Sequence, residues 1–260
     1  MKIPLYQVDA FSPKVFSGNP AAVCLLDSWL DDNRLQSIAA ENNLSETAFI
    51  VPKSKGRYDL RWFTPTLEVD LCGHATLASA FVIFSFMDGT LSSVDFNTAS
   101  GLLSVSKAGE LLSMDFPTRK PEPTETSPLL SQALGAEPLE VLKSRDLLAV
   151  FKDESVIRDM TPDFDKLKQV RAFAVIVTAR GEASDFVSRF FAPNAGVSED
   201  PVTGSAHCTL IPYWSDRLKK NQLHAYQLSK RGGELFCENL GERVRIAGHA
   251  VLYAKGEIWL

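Results

Sequence analysis

Apolar and polar residues follow each other along the chain in patterns that predict strands more often than helices. In the first quarter, alternating or continuous apolar runs predict strands at 3–11, 21–26, 45–51 and 58–63. An apolar stripe at helical spacing predicts an amphipathic helix over 31–43. The segment from Gly73 to Phe86 is apolar nearly all round, which is typical of a helix enclosed on every side. A sheet curled around this central helix would enclose it.

The pattern around this first buried helix is repeated in the second half of the chain. The first copy is Arg61-Trp62-Phe63-Thr64-Pro65, followed by Gly73-His74-Ala75-Thr76 and an apolar run. The second copy is Arg189-Phe190-Phe191-Ala192-Pro193, followed by Gly204-Ser205-Ala206-His207 and another apolar run. The two prolines lie 128 residues apart and the two glycines 131, about half of the 260 residues. So long a period predicts two copies of one unit.

The repeat sets the expected domain organisation. The first half, 1–117, carries Glu46 and the helix start at Gly73, and the second half, 118–260, carries the helix start at 200–205. The proline-rich segment 117–128 is the predicted linker. The last strand is free to pack on the first half. The expected fold class is mixed α/β (α+β).

Both predicted helix starts have the chemistry of an anion site. A helix N-terminus presents unpaired backbone N–H groups and the positive end of the helix dipole. A glycine at the start, as at Gly73 and Gly204, lets a ligand approach the backbone closely. Two such starts, one in each half, predict a clamp for one small anionic molecule. The plainer alternative is that both are ordinary helix starts in duplicated domains.

Two polar residues near the first helix start are candidates for proton transfer. Glu46 begins a predicted strand beside apolar neighbours, which would disfavour its charged form and suit it to general acid–base work, although a glutamate at a strand start is usually solvated. His74 follows Gly73 directly, where the helix dipole should keep the imidazole neutral. The alternative for His74 is a buried, hydrogen-bonded structural histidine.

The second helix start has its own candidates. Asp200 either caps the helix or receives an ammonium or hydroxyl group of a ligand. Ser205, just after Gly204, offers a hydroxyl and a backbone N–H to an anion. We expect His207 to be structural. Cys72 lies at the first helix start, where the dipole lowers the pKa of a thiol, and is a candidate base.

The composition and charge of the chain indicate which classes of binding partner to expect. The formal charge of −5 argues against nucleic acid or an anionic membrane, so we expect a small-molecule substrate. The first residues enter a predicted strand with no signal-peptide pattern, and no apolar run is long enough to span a bilayer, so a cytoplasmic protein is expected. The four cysteines show no CxxC spacing and no partnered histidines, which predicts neither a structural metal site nor disulfides.

Cys72-Gly73-His74 is similar to the first cysteine motif of cofactor-independent racemases and epimerases of the diaminopimelate epimerase and proline racemase type. Those enzymes use one cysteine from each half as their two bases. Here Thr203 stands about where the second cysteine would be. One base of the pair is missing, so a two-thiol racemase is disfavoured.

A resemblance that covers nearly the whole chain is to the phenazine-biosynthesis PhzF-like isomerase family. It is carried by four motifs in order: Phe16-Ser17-Gly18-Asn19-Pro20-Ala21-Ala22-Val23, Asn43-Leu44-Ser45-Glu46-Thr47-Ala48-Phe49, Cys72-Gly73-His74-Ala75-Thr76 and Glu199-Asp200-Pro201-Val202-Thr203-Gly204-Ser205-Ala206. The resemblance implies a diaminopimelate-epimerase-like fold, with two similar halves, each a curled, mostly antiparallel sheet around a central helix, and the site between them. It also implies a homodimer.

The resemblance further implies a cofactor-free proton shift on a small carboxylic acid. The general acid–base role falls on Glu46, supported by His74 and Asp200. Substrate binding falls on Cys72, Gly73, Gly204 and Ser205. Two other readings stay open: a racemase that uses Cys72 with an unconventional second base, and a binding protein without catalysis.

Overall fold

The computed structural model describes all 260 residues, which form eighteen strands and six α-helices. The chain groups into two compact units: Met1–Asp115 with Ala247–Leu260, and Phe116–Ile246. The expected halves, 1–117 and 118–260, stay a prediction about domains, because compactness alone does not show that a unit folds by itself. No helix is both long enough and apolar enough to cross a membrane.

The first unit contains the N-terminal strands, two helices and the last strand. Its elements are β1 (Lys2–Ala10), β2 (Asn19–Leu25), α1 (Asp32–Asn42), β3 (Glu46–Ser54), β4 (Arg57–Phe63), β5 (Glu68–Val69), α2 (Gly73–Val82) with a π-helical turn (Ile83–Met87), β6 (Ser93–Thr98), β7 (Gly101–Ala108) and β18 (Ala250–Trp259). The chain passes between the units inside β8 (Leu111–Pro117) and β17 (Arg243–Gly248).

The second unit is built from the remaining strands and four helices. Its elements are β9 (Glu122–Pro123), α3 (Pro128–Leu134), β10 (Glu140–Lys143), β11 (Leu147–Val150), α4 (Glu154–Asp159), α5 (Phe164–Leu167), β12 (Val175–Arg180), β13 (Phe186–Ala192), β14 (Val197–Asp200), α6 (Gly204–Leu218), β15 (Gln222–Gln227) and β16 (Gly233–Asn239). A short 3₁₀ turn, Pro193–Ala195, precedes β14.

The strand pairing of the second unit repeats that of the first, step by step. In the first unit β2 pairs with β3 in parallel, β3 with β4 and β4 with β5 antiparallel, β4 with β6 in parallel, and β6 with β7 antiparallel. In the second unit β11–β12, β12–β13, β13–β14, β13–β15 and β15–β16 show the same directions in the same order. The prediction of two similar, mostly antiparallel halves is confirmed.

The predicted central helix of the first half is α2, which contacts β1, β2, β3, β7 and β18. Its residues from His74 to Ala80 are all buried. The expected enclosure fails at Phe86, which is 40% exposed. There the helix has passed into the wider π-helical turn, and the Phe86 ring stacks on Tyr6 with centroids 5.1 Å apart.

Candidate functional site

The elements of the first unit bring three candidate residues together at the start of α2. Glu46 is the first residue of β3, Cys72 is the N-cap of α2, and His74 is its second residue. Glu46 Oε2 lies 3.1 Å from His74 Nε2, and Cys72 Sγ lies 3.5 Å from His74 Nδ1. The carboxylate and the thiol therefore each contact the imidazole, and Gly73 presents the first N–H group of the helix beside them.

The charge of His74 differs from the sequence expectation. Burial lowers the pKa of His74, but the neighbouring Cys72 and Glu46 outweigh burial and raise that pKa well above its ordinary value of 6.5. The direction is opposite to the one expected from the helix dipole, because two acidic groups lie beside the ring, Cys72 and the Glu46 carboxylate, the latter at 3.1 Å.

The thiol of Cys72 is held in its neutral form. Burial and the Glu46 carboxylate raise the pKa of Cys72, and His74 only partly opposes them. The sequence predicts that the helix start lowers the pKa of this thiol. In the structure, burial of the thiol and the Glu46 carboxylate outweigh that effect.

Two buried atoms of this cluster have only each other as a polar partner. Glu46 Oε2 and His74 Nε2 form an ion pair at 3.1 Å, and neither makes a hydrogen bond to a third group. Buried polar atoms in proteins are usually well satisfied. A ligand that accepts from the imidazole or donates to the carboxylate would add a second partner.

The first residue of β2, Asn19, is a further part of the site, and the sequence analysis gave it no role of its own. Asn19 Nδ2 lies 3.2 Å from His74 Nδ1, on the ring edge away from Glu46. With a neutral ring, the amide donates to Nδ1 and the ring proton sits on Nε2, facing Glu46. With a charged ring, Nδ1 carries a proton and donates it to the Asn19 amide oxygen, once the amide is turned so that its oxygen faces the ring. Asn19 thus orients the imidazole in either state.

In the second unit, hydrogen bonds fix the segment that leads into α6. The Thr203 hydroxyl donates to the Asp200 carboxylate, and the Thr203 backbone N–H donates to Gln227 Oε1 at 2.9 Å. Gln227 Nε2 donates to the Asp200 carbonyl oxygen at 2.8 Å. Gln227 is fully buried at the end of β15. Nothing in its sequence neighbourhood predicts this role, because the contact depends on the pairing of β15 with β13.

The first turn of α6 carries Gly204 and Ser205. No side chain caps this helix, nor α2, whereas Asp31 caps α1. The N–H groups at both starts are therefore free of a side-chain cap. Arg145 Nη2 donates to Ser205 Oγ at 3.4 Å, and the buried Asp146 holds the Arg145 guanidinium at 3.0 Å.

His207 is placed as a structural residue. It is fully buried, and its Nδ1 donates to the Thr203 carbonyl oxygen at 2.9 Å. Burial lowers the pKa of His207 to about 4, so the ring is neutral at physiological pH. This hydrogen bond ties the end of the first turn of α6 to its N-cap.

The candidate residues thus form two sets. Glu46, Cys72, Gly73 and His74 meet in the first unit. Asp200, Gly204 and Ser205 lie around the α6 start in the second. That the two sets serve one ligand stays a prediction.

The fold is that of the epimerase-like class. A hydroxyproline epimerase of Agrobacterium vitis has the same fold, with a TM-score of 0.64 over 99% of this chain and 92% of its own, at 9% identity.

Closer relatives define the family. The profile of the phenazine biosynthesis-like proteins, PhzC-PhzF, matches residues 8–256. An uncharacterized isomerase of Pseudomonas aeruginosa is 55% identical over the whole of both chains. The crystal structure of a PhzF-family phenazine biosynthesis protein of Enterococcus faecalis has a TM-score of 0.98, 51% identity and full coverage of both chains. The chain belongs to the PhzC-PhzF, phenazine biosynthesis-like family, whose relatives include proteins named isomerases.

Proposed function

We propose that this protein is an isomerase that moves a proton on a small carboxylate-bearing molecule, with Glu46 as the general acid–base. The observation that carries the proposal is the buried Glu46 Oε2 atom, which lies 3.1 Å from His74 Nε2 at an uncapped helix start. A base must be close to the proton that it removes, and a neighbouring imidazole can stabilise its charged form.

The chemistry balances without any change of oxidation state. Glu46 takes a proton from a carbon of the substrate, and the electron pair of that C–H bond moves into the conjugated system next to the carboxylate. Backbone N–H groups at Gly73 and His74 stabilise the negative charge that develops. Glu46 then returns the proton to a different carbon. The protonated form of His74 stabilises the Glu46 carboxylate before the proton is taken.

The second unit is proposed to bind the substrate. Asp200, Gly204 and Ser205 hold the positions that the family resemblance assigns to supporting residues. The hydrogen bonds of Thr203 and Gln227 fix the segment that contains Asp200. A fixed segment holds the Asp200 carboxylate in one orientation, as substrate binding requires. A homodimer and a cytoplasmic location remain predictions; light scattering tests the first.

A racemase based on Cys72 is the second candidate, and the structure disfavours it. Burial and Glu46 raise the pKa of the thiol, so the thiolate that would act as base is scarce at neutral pH. The position expected for a second cysteine is Thr203, the N-cap of α6, whose hydroxyl is bonded to Asp200.

The test is proton exchange in heavy water. The protein is incubated with a panel of small carboxylic and amino acids, including a dihydro-hydroxyanthranilate, and deuterium uptake is followed by NMR. Glu46→Gln should reduce uptake about 10²–10⁴-fold. Glu41→Gln, an exposed carboxylate in α1, is the matched control and should keep the wild-type rate.

The other possible outcomes of this experiment distinguish the isomerase from a racemase and from a binding protein. Uptake that survives in Glu46→Gln and is lost in Cys72→Ser would establish the racemase. A ligand that binds without any uptake across the panel would leave a binding protein. Asp200→Asn should weaken substrate binding, seen as a higher KM.

A further inference from the structure

The cluster of Glu46, Cys72 and His74 also has the composition of a transition-metal site. One ligand atom from each residue lies within 4.8 Å of the other two. A carboxylate oxygen, an imidazole nitrogen and a cysteine sulfur are the three kinds of ligand that zinc takes in proteins. No sequence pattern indicates such a site, because the ligands come from residues 46, 72 and 74 without a CxxC spacing.

The three ligand atoms are near enough to share one ion after a small movement, since they lie within 4.8 Å of one another. A zinc ion bound at about 2.3 Å to sulfur and about 2.0–2.1 Å to nitrogen or oxygen holds its ligand atoms roughly 3.3–3.6 Å apart. The Sγ–Nδ1 distance here is 3.5 Å and the Oε2–Nε2 distance is 3.1 Å. These contacts use different ring nitrogens, so binding requires Glu46 or Cys72 to rotate towards the nitrogen that is used.

Burial leaves these ligand atoms with few partners. The His74 side chain is 6% exposed, and its Nε2 atom and the buried Glu46 Oε2 atom have no polar partner beyond their own ion pair. The Glu46 side chain is 19% exposed, which gives an ion access from solvent. Three protein ligands would leave a fourth position for water, as in open zinc sites.

We propose that Glu46, Cys72 and His74 bind a zinc-class divalent cation, which inhibits the proton shift by occupying its acid–base group. The inhibition rests on the function proposed above; the binding does not. The ion displaces the thiol proton of Cys72 to solvent. The sulfur ligand selects zinc and cobalt over magnesium and calcium, which prefer oxygen.

Cobalt is the probe, since Co²⁺ bound to a thiolate gives a charge-transfer band in the near ultraviolet. Tag-free protein is titrated with Co²⁺ and then with Zn²⁺. The band should appear in the wild type, disappear on adding zinc, and be absent in Cys72→Ser. Cys24→Ala, a change at another buried cysteine of the same unit, is the matched control and should keep the band.

The affinity for zinc and the inhibition of proton exchange by zinc are the two further measurements. Zinc binding, measured by competition with a chromogenic chelator, should weaken at least about 10–100-fold in Cys72→Ser, because even the loss of an outer partner of a metal ligand costs that much. The zinc concentration that halves proton exchange should rise by the same factor, relative to each variant's own rate. Circular dichroism checks folding, and Cys72→Ala replaces Cys72→Ser if the latter does not fold.

A wild type without the cobalt band, or a band unchanged in Cys72→Ser, overturns the proposal. If no acid of the panel exchanges, the proposed function fails, yet the cobalt band still decides the binding site. A band present together with exchange that zinc does not slow would refute the inhibition.

Discussion

At the scale of single residues, the loop from Phe16 to Asn19 depends on an unusual backbone. Gly18 has a φ of +71°, and a Cβ atom there would lie 2.2 Å from the carbonyl oxygen of Ala10. Phe16, at φ 68°, donates its N–H to the buried Asp9 carboxylate at 2.9 Å. These constraints place Asn19 where its amide reaches His74. The loop is thus a positioning device for the imidazole.

Gly18→Ala should therefore destabilise the protein and disturb the site. Both the positive φ and the clash with backbone oppose the added methyl group, and the sum should exceed about 1 kcal/mol of unfolding free energy. Gly109→Ala is the control, because Gly109 has a φ of +61° with nothing within 4 Å of the added Cβ. Thermal unfolding compares the two. Equal losses would contradict the clash.

His74 should titrate above its ordinary pKa, and Glu46 should be one of the reasons beside Cys72. NMR of the imidazole resonances gives its pKa directly. In Glu46→Gln the pKa should fall, since one of the two acidic neighbours that oppose burial is then removed. For stability the sign follows: the raised folded pKa stabilises the protein fully below about pH 6.5, and this contribution is lost as pH rises through the folded pKa. An unchanged pKa in Glu46→Gln would contradict the pairing.

At the scale of elements, the repeat extends to side chains. Arg61 of β4 pairs with Glu68 of β5 at 2.6 Å, and Arg189 of β13 pairs with Glu199 of β14 at 2.7 Å. Each pair ties a strand to the short strand that returns towards the buried helix. The surroundings differ: the Arg189 side chain is 11% exposed and that of Arg61 25%.

Breaking the two pairs should therefore have unequal costs. Glu199→Gln leaves the buried Arg189 guanidinium without its carboxylate and should cost about 2 kcal/mol, below the full value for a wholly buried pair. Glu68→Gln should cost less than about 1 kcal/mol, because Arg61 is more exposed and keeps Asp32 at 3.0 Å. Urea unfolding of both variants checks this, and a larger loss in Glu68→Gln would contradict it.

The elements that the sequence predicts well are those with a local signal. Apolar periodicity and glycine positions predict the strand that contains Arg61 and the two helix starts at Gly73 and Gly204. Contacts between distant segments are not. Asn19 meets His74 only through the register of β2 and the position of α2. The direction of the His74 pKa shift is not predictable from the sequence for the same reason, since Glu46 comes within 3.1 Å of the ring only through the packing of β3 and α2.

At the scale of the whole chain, the first and last strands are partners. β1 pairs antiparallel with β18 along its full length, from Lys2 opposite Trp259 to Ala10 opposite Ala250, with a bulge at Gln7–Val8. On its other edge β1 pairs with β2. The last fourteen residues therefore belong to the first unit.

Removing residues 250–260 should selectively weaken the first unit. β1 would lose one of its two neighbours and expose an unpaired edge. Limited proteolysis with mass mapping should find the earliest cuts within 1–115. A circular permutant that starts at Ala250 and joins Leu260 to Met1 by a short linker should restore resistance, because Leu260 N already donates to the Met1 carbonyl oxygen at 2.9 Å. Wild-type resistance in the shortened chain would contradict this.

The pairing of β1 with β18 sets an order of events during biosynthesis. β1 is synthesised about 240 residues before its partner strand. At roughly 5–20 residues per second, β1 waits on the order of ten to fifty seconds for β18. All residues of the second unit are synthesised within that interval. The nascent chain thus carries an open strand edge until β18 has been made, and during this interval a chaperone that shields such edges would matter most.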